Sequence, residues 1–307
     1  MRDTFIQELT MLAASDPDVV LITGDLGFGI FDDFSQRFPD QFLNVGVAEQ
    51  NLMMVSAGMA LEGKKIFAYS IGNFPTQRCL EQIRNDICYH DLNVTIIGMG
   101  GGFSYGQLGM SHHATEDISI MRALPNMVSI VPSCSSEVKG AMNRLKNYNG
   151  PAYLRLDKSK VLHHSSDVDF EIGKASTLRK GDSVSLICSG GIAEEALIAA
   201  DVLSIEGIES RVISMHTIKP IDEKTIMLAS TETGGIITIE ENTIIGGLGS
   251  AVAECCLESN YKPKFFCRIG LRDTYSSIVG DQKYLREYYN MDSISIKNTV
   301  IDQLNNS

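Results

Sequence analysis

Short apolar runs alternate with amphipathic stretches along most of the chain. Runs of β-branched residues at 19–23 and 94–98 predict buried strands, and 5–14 carries apolar residues at helical spacing. Further strands are predicted at 42–45, 66–69, 128–131, 153–156, 184–188, 210–214, 235–239 and 264–269, with helices between them, and a loop at 72–75. This alternation predicts an α/β protein whose sheets are parallel and whose ligands bind at the carboxyl ends of the strands.

A polar stretch divides the pattern into two halves. We predict two doubly wound α/β domains, residues 1–157 and 181–307, joined by an interdomain linker at 158–180. His163 and His164 lie in this stretch, and solvated linker residues explain them better than a metal site. At 307 residues the chain is long enough for each half to bury its own core.

One carboxylate stands out in the first half. Residues 44–63 predict a strand end, a glycine turn and a helix of small and apolar residues, with Glu49 in its first turn. A helix that is apolar on all sides is typically buried, and burial favours the neutral form of a carboxyl group. On position alone, a favourable interaction of Glu49 with the helix dipole is the simpler explanation.

Composition argues against two classes of binding partner and indicates a cellular compartment. The net charge of −12 argues against nucleic acid and anionic membranes as partners. The seven cysteines are scattered without a C-x-x-C pair, which indicates reduced thiols and a cytoplasmic protein. The sequence has neither an apolar signal region nor a run of about 20 apolar residues for a membrane span. The glycine turn at 246–250 opens a helix, and a structural turn explains it better than an anion site.

Several motifs, in order, resemble one known family. Residues 44–51 (NVGVAEQN) resemble the pyrimidine-binding segment of transketolases and deoxyxylulose-phosphate synthases, and 24–26 (GDL) resemble their preceding loop. RCLEQIRND at 78–86, SH at 111–112, ED at 116–117 and RALPNM at 122–127 follow in the family's order. In the second half, MHTIKPID at 215–222, EEN at 240–242 and GGLG at 246–249 resemble the transketolase C-terminal domain. The resemblance implies that Glu49 has a catalytic role.

One part of the family pattern is missing from this sequence. Transketolases bind the cofactor diphosphate and magnesium through a Gly-Asp-Gly…Asn motif on an N-terminal domain, and no Gly-Asp-Gly occurs here. The chain therefore resembles the C-terminal subunit of a split transketolase. The resemblance implies thiamine diphosphate and Mg²⁺ as cofactors, held mainly by a separate N-terminal subunit, in an α2β2 assembly.

The resemblance also assigns roles to residues around the cofactor. Glu49 is implied to hydrogen-bond the aminopyrimidine ring as a neutral acid, and Phe74 to stack on its face. The resemblance also implies that Arg78 binds the cofactor and that Asp25 approaches the cofactor or the partner. His112 matches the family histidine that contacts substrate oxygens and assists proton transfer.

The substrate pocket departs from the family pattern. Leu108 stands where transketolases have an aspartate for the acceptor hydroxyl, Gly100 replaces a histidine of the phosphate pocket, and Gly29 replaces a serine. Arg2 keeps one phosphate-side contact, and Lys158 replaces an arginine, which makes a weaker clamp because lysine has no planar fork. We therefore expect an atypical small-molecule carbonyl or sugar substrate, either a larger activated sugar or a less hydroxylated carbonyl compound.

Four functions remain open at this point. The first is transfer of a two-carbon ketol unit by a transketolase-like enzyme. The second is acyloin formation from a 2-oxo acid, as in deoxyxylulose-phosphate synthase. A β subunit of a 2-oxo acid dehydrogenase is disfavoured by the motifs at 111–112 and 122–125. A non-catalytic scaffold or regulatory subunit is disfavoured by Glu49 and His112, but Leu108 and Gly100 keep it open.

Overall fold

Two β-sheets organise the chain, and the computed structural model describes residues 1–27, 29–158 and 170–306. In the first half the elements are α1 Arg2–Ser15, β1 Val19–Thr23, α2 Asp32–Arg37, β2 Phe42–Asn44, α3 Glu49–Leu61, β3 Lys65–Ile71, α4 Asn73–Arg78, α5 Leu80–Gln82, a π-helix Ile83–Cys88, β4 Val94–Met99, α6 Asp117–Ala123, β5 Val128–Ile130, α7 Ser135–Leu145 and β6 Ala152–Leu156. In the second half they are β7 Ser176–Arg179, β8 Val184–Ser189, α8 Ala193–Ile205, β9 Ser210–Ser214, β10 Thr217–Lys219, α9 Glu223–Glu232, β11 Ile236–Thr243, α10 Leu248–Glu258, β12 Phe266–Leu271, α11 Gln282–Tyr288 and α12 Ser293–Asn305.

The first sheet brings the predicted ligand-binding loops to one edge. Its strand order is β10-β5-β6-β4-β3-β1-β2, and its neighbours are parallel except for β10. Thr23 pairs with both Asn44 and Tyr69, and Met99 pairs with Leu156. The carboxyl ends of β1, β2, β3, β4 and β6 therefore meet at the same edge, as the sequence predicts for a doubly wound sheet.

Both faces of the first sheet are covered by helices. Val19 and Leu21 of β1 pack in one apolar cluster with residues of α1 and α7. Val20 and Ile22 point the other way and pack with residues of α3 and the π-helix. All five residues of β1 are buried, because a parallel strand between two helical layers has no solvent-facing side.

Two short strands were not predicted near the linker and the domain boundary. Ser176–Arg179, inside the predicted linker, forms β7 and pairs antiparallel with β9 at the edge of the second sheet, whose order is β12-β11-β8-β9-β7. Thr217–Lys219, from the second half, forms β10 and pairs antiparallel with β5 of the first sheet. Both are short strands fixed by long-range pairing, which a local pattern does not show. His163 and His164 lie outside the described residues. From the two sheets we propose that the first domain spans 1–157 and that the second, predicted at 181–307, already begins with β7, while β10 is exchanged into the first sheet.

Buried charges join the two halves behind the edge of the first sheet. Arg155 of β6 lies 3.3 Å from Asp117 and 3.5 Å from Asp157, and donates to the Glu241 carbonyl at 2.9 Å. The Glu241 carboxylate pairs with Arg286 at 2.6 Å. Because these groups are almost inaccessible to water, each charge depends on its partners.

Two further observations concern membrane and redox environment. Within the described ranges, no helix is both long and apolar enough to cross a bilayer. All seven cysteines are free thiols.

The burial of His216 can be tested through the pH dependence of the unfolding free energy. Its ring stacks on Phe170 with centroids 4.1 Å apart, and burial lowers the pKa of His216 to about 4. The unfolded chain takes up this proton below about pH 6.5 and the folded chain does so only near pH 4, so stability falls as the pH drops through this window. We expect wild type to lose about 2 kcal/mol more unfolding free energy than His216→Gln between pH 7 and pH 5. Urea titrations at both pH values measure this, and parallel pH dependence of the two proteins would contradict it.

Candidate active site

The turn before Glu49 is held by the side chain of Asn44. Its Oδ1 accepts hydrogen bonds from the backbone N–H of Asp25 at 2.9 Å and of Gly46 at 3.0 Å, and its Nδ2 donates to Asp25 Oδ1 at 3.1 Å. Gly46 has φ +75°, a conformation that glycine adopts without steric cost, and α3 begins at Glu49. Asn44 therefore joins the loop of Asp25 to the turn before Glu49. The sequence pattern did not reveal this role of Asn44.

Glu49 is buried and paired with Arg78. The Glu49 side chain is 6% exposed, and its Oε1 lies 3.0 Å from Nη1 of Arg78, whose side chain is 53% exposed. The expectation that α3 is buried on all sides is wrong. Leu52 and Met53 are buried, whereas Met54 on the opposite face is exposed, because within this chain α3 packs against the sheet on one side only.

The segment after β3 is helical and not the predicted loop. Asn73–Arg78 forms α4, and Pro75 lies in its first turn, where a backbone N–H has no partner within the helix. Asn73 Nδ2 donates a hydrogen bond to the carbonyl of Ser111. This bond ties α4 to the turn that carries His112, and sequence reasoning gave Asn73 no such role.

Four of the predicted residues form one contiguous chain of contacts. The guanidinium of Arg78 lies 4.3 Å from the ring centroid of Phe74, within cation–π distance. The ring of His112 meets that of Phe74 edge-on, with centroids 5.2 Å apart. Since Arg78 also pairs with Glu49, the contacts run from Glu49 through Arg78 and Phe74 to His112. Ser111 Oγ lies 3.1 Å from Nδ1 of His112.

The second half of the chain shapes the loop that carries His112. The backbone N–H of Phe103 donates to Oε1 of Glu241 at 2.5 Å, and a Cβ added to Gly102 would lie 2.5 Å from the same oxygen. The Phe103 ring packs edge-on against His113, with centroids 5.1 Å apart. Burial lowers the pKa of His113, which therefore acts as a neutral packing residue beside His112. Glu241 is distant in sequence, and only the fold reveals its contact.

A cavity of about 630 Å³ lies beside this chain of contacts. The residues that line it include Asn73, Phe74, Arg78, Ser111, Tyr275 and Ser276. Tyr275 and Ser276 come from the second half of the chain, so both halves line the cavity. Its size is in the range of pockets that hold a small molecule.

The predicted substrate residues are not all brought together. Lys158 Nζ lies 3.7 Å from the ring centroid of Tyr105, and the positive charge of Arg2 acts to lower the pKa of both Tyr105 and Lys158. Leu108 is 56% exposed in a short turn and does not line the cavity beside Phe74. Gly29 is exposed, and a Cβ added there would meet nothing within 4 Å.

The glycine turn at 246–250 is structural. Glu240 accepts hydrogen bonds from the backbone N–H groups of Leu248 and Gly249 at 2.8 Å each, so a protein carboxylate fills the start of α10. Burial raises the pKa of Glu240 to about 7. The described part of the chain contains no group of three or more side chains suited to a metal ion.

Both halves of the chain match domains of known proteins. Residues 1–162 match the transketolase pyrimidine-binding domain, and residues 173–296 match the transketolase C-terminal domain. A solved split-gene transketolase, described as an inactive beta4 tetramer, superposes with a TM-score of 0.91 at 36% identity and covers 99% of this chain and 98% of its own.

Curated relatives align over nearly the full length. A putative transketolase C-terminal section from Methanocaldococcus jannaschii is 37% identical over 99% of this chain and 96% of the relative. The 6-deoxy-6-sulfo-D-fructose transketolase subunit SqwH from a Clostridium species is 36% identical, covering 95% and 90%. A subunit of the apulose-4-phosphate transketolase from Phocaeicola vulgatus is 35% identical, covering 98% and 96%. With both domains matched in order, this chain belongs to the transketolase family.

Proposed function

We propose that this chain is the C-terminal, or β, subunit of a thiamine-diphosphate-dependent transketolase-like transferase. The complex transfers a two-carbon ketol unit to an aldehyde or sugar acceptor and has an atypical substrate pocket. It is active only with a separate N-terminal subunit. The observation that carries this proposal is the run of contacts from Glu49 through Arg78 and Phe74 to His112 at the carboxyl edge of the first sheet.

The residues present fit an aminopyrimidine ring. Glu49 offers a buried carboxyl group, Phe74 an aromatic face, and the buried Oδ1 of Asn73 has no hydrogen-bond partner among the described residues. Thiamine diphosphate, when bound, supplies the carbanion chemistry. Glu49 would hold this ring by a hydrogen bond through its carboxyl group. Arg78 Nη1 occupies Glu49 Oε1 in this structure, so the exposed Arg78 side chain must move aside for this oxygen to reach the ring.

His112 and Asp25 serve the substrate and cofactor ends of the site. Ser111 contacts Nδ1 of His112, which leaves Nε2 available to the oxygens of the donor and acceptor. The proton that moves during ketol transfer is held at this nitrogen. Asp25, fixed by Asn44 next to the Glu49 turn, faces the cofactor or the N-terminal subunit.

The exposed side of α3 suits a protein partner. Met54 is 48% exposed and Leu61 63%, two turns apart on one face of α3, and Val47, just before the helix, is 74% exposed. Contiguous exposed apolar surface beside a functional site is typical of protein interfaces. The N-terminal subunit covers this face, holds the diphosphate and Mg²⁺, and forms an α2β2 assembly with this chain. The free cysteines support a cytoplasmic location.

Acyloin formation from a 2-oxo acid is the second candidate. Deoxyxylulose-phosphate synthases from Desulforudis audaxviator and Syntrophotalea carbinolica are each 33% identical to this chain, which spans 43% and 47% of them. The ketol-transfer proposal has the additional support of full-length split relatives.

Complementation tests the proposal and separates the two candidates. The chain is mixed with the N-terminal subunit from an adjacent reading frame, with cofactor and Mg²⁺, and supplied either with a ketose phosphate or with pyruvate, plus an aldehyde acceptor. We expect ketol transfer from the ketose in the mixture and none from either chain alone. Turnover with pyruvate only would favour acyloin formation, and turnover by this chain alone would contradict the split site.

A further inference from the structure

The side chain of Arg78 lies over the ring of Phe74 because of their spacing on α4. The two residues are four positions apart, so they share one face of the helix, and helical side chains lean towards the helix N-terminus. Cζ of Arg78 lies 4.3 Å from the Phe74 ring centroid. Nε2 of Gln50, on α3, donates to the Arg78 backbone carbonyl at 3.3 Å. The backbone of Arg78 is therefore tied to α3, while its side chain reaches back over Phe74.

The same guanidinium also binds Glu49. Nη1 of Arg78 donates to Oε1 of Glu49 at 3.0 Å, and among the described residues no other cation lies within ion-pair distance of this carboxylate. A guanidinium is flat and carries its N–H donors in its plane. A flat group over Phe74 that hydrogen-bonds Glu49 makes the two contacts that the proposed site offers to an aminopyrimidine ring. Arg78 therefore takes the place of the ring in this chain.

Arg78 is able to leave this place at a small cost. Its side chain is 53% exposed and that of Glu49 is 6% exposed, so the cation can turn into water while the carboxyl group stays where it is. A half-exposed ion pair and an exposed cation–π contact together change a binding constant by about tenfold. This contact is strong enough to compete with a weakly bound ring. It is too weak to exclude a cofactor that a partner subunit also holds.

We propose that Arg78 is an internal competitor for the aminopyrimidine ring of the cofactor. In the unassembled chain its guanidinium fills the ring site on Glu49 and Phe74, and it withdraws when a cofactor held by the partner subunit enters. This inference rests on the proposed function and adds an autoinhibitory contact at the same site. The low cofactor affinity expected of the lone chain then has two causes, the missing diphosphate site and the occupied ring site.

Titration of the lone chain with a ring fragment tests the proposal without the partner and without turnover. The probe is hydroxymethylpyrimidine, the aminopyrimidine half of thiamine, and calorimetry measures its binding to wild type, Arg78→Ala and the control Arg84→Ala. Arg84 is exposed on the π-helix, where it donates to its neighbour Asn85 at 2.7 Å, so the control removes the same charge outside the contacts of Glu49. We expect Arg78→Ala to bind the fragment about tenfold more tightly than wild type or Arg84→Ala.

Arg78→Lys keeps the proposal testable if the alanine variant is unstable. Lysine retains a cation that can pair with Glu49, but it has no planar fork to lie over Phe74. Its affinity for the fragment should therefore lie between those of wild type and Arg78→Ala. Thermal midpoints of the four chains without ligand show that each is folded before it is titrated.

Added guanidinium shows whether the vacated site is the one that the side chain fills. In Arg78→Ala, guanidinium chloride at a non-denaturing concentration should replace the missing group and weaken binding of the fragment. Potassium chloride at the same ionic strength should weaken it less, because it only screens charge. Equal effects of the two salts would contradict occupancy of the ring site by a guanidinium.

The fragment titration and the complementation experiment fail independently. Equal binding of the fragment by Arg78→Ala and wild type, including no binding by either, overturns the proposal, and so does weaker binding by Arg78→Ala. Successful complementation without the tenfold gain would reject the internal competitor and keep the proposed reaction. Failed complementation with the gain would reject the proposed reaction and keep the ring site that Arg78 occupies.

Discussion

Glu49→Gln should lower the turnover of the complex by on the order of 10³-fold while leaving the fold intact. Glutamine keeps the size and a hydrogen-bonding amide but lacks the carboxyl group that the proposed role of Glu49 requires. The change also removes a charge beside Arg78, whose side chain is 53% exposed and is solvated without its partner. We therefore expect an unfolding free energy within about 1 kcal/mol of wild type.

A control at the end of the same helix makes this test specific. Glu62, the residue that follows α3, is exposed, and Glu62→Gln should leave both turnover and stability unchanged. Steady-state rates of the reconstituted complexes and urea titrations of the free chains give the two readouts. A Glu49→Gln enzyme at the wild-type rate would remove Glu49 from the catalytic machinery.

Arg155→Met should cause the largest loss of stability. It leaves Asp117 and Asp157 buried without their cation, and burial already raises the pKa of Asp117. Tyr153 still donates to Asp117 at 2.5 Å, but one hydrogen bond does not replace a buried charge. We expect a loss of about 3–5 kcal/mol in unfolding free energy, the usual cost of breaking a buried ion pair.

Arg179 provides the matched control for that prediction. It pairs with Asp201 and Glu209, whose side chains are 73% and 51% exposed. Arg179→Met should cost less than about 1 kcal/mol, because water replaces a surface ion pair. Equal losses in Arg155→Met and Arg179→Met would show that the buried network does not hold the two halves of the chain together.

The local pattern predicted much of the fold. β1 follows from five consecutive apolar or β-branched residues, and α3 from the glycine turn and the apolar residues after it. Both signals are contained in a short window of sequence, and the structure confirms both elements. The same holds for the order of strands and helices, which depends on the alternation of such windows.

The missed features depend on contacts between distant parts of the chain. β10 is only three residues long and exists because β5 offers an open edge. The local sequence does not distinguish Arg155 from an ordinary polar residue in a strand. Only the fold brings it between Asp117 and Asp157. The Tyr105 ring over Gly100 is a local contact, but it depends on a loop conformation that spacing alone does not determine. The helix at Asn73–Arg78 was missed because a proline in the first turn resembles a loop signal.

The most direct test of a split active site is calorimetric binding of thiamine diphosphate with Mg²⁺. The cofactor is titrated into this chain alone, into the N-terminal subunit alone and into their mixture. We expect tight binding only in the mixture, because the proposed site holds one end of the cofactor through Glu49 and Phe74 and the diphosphate through the partner. Tight binding by this chain alone would contradict the account, since the diphosphate site would then lie within these residues.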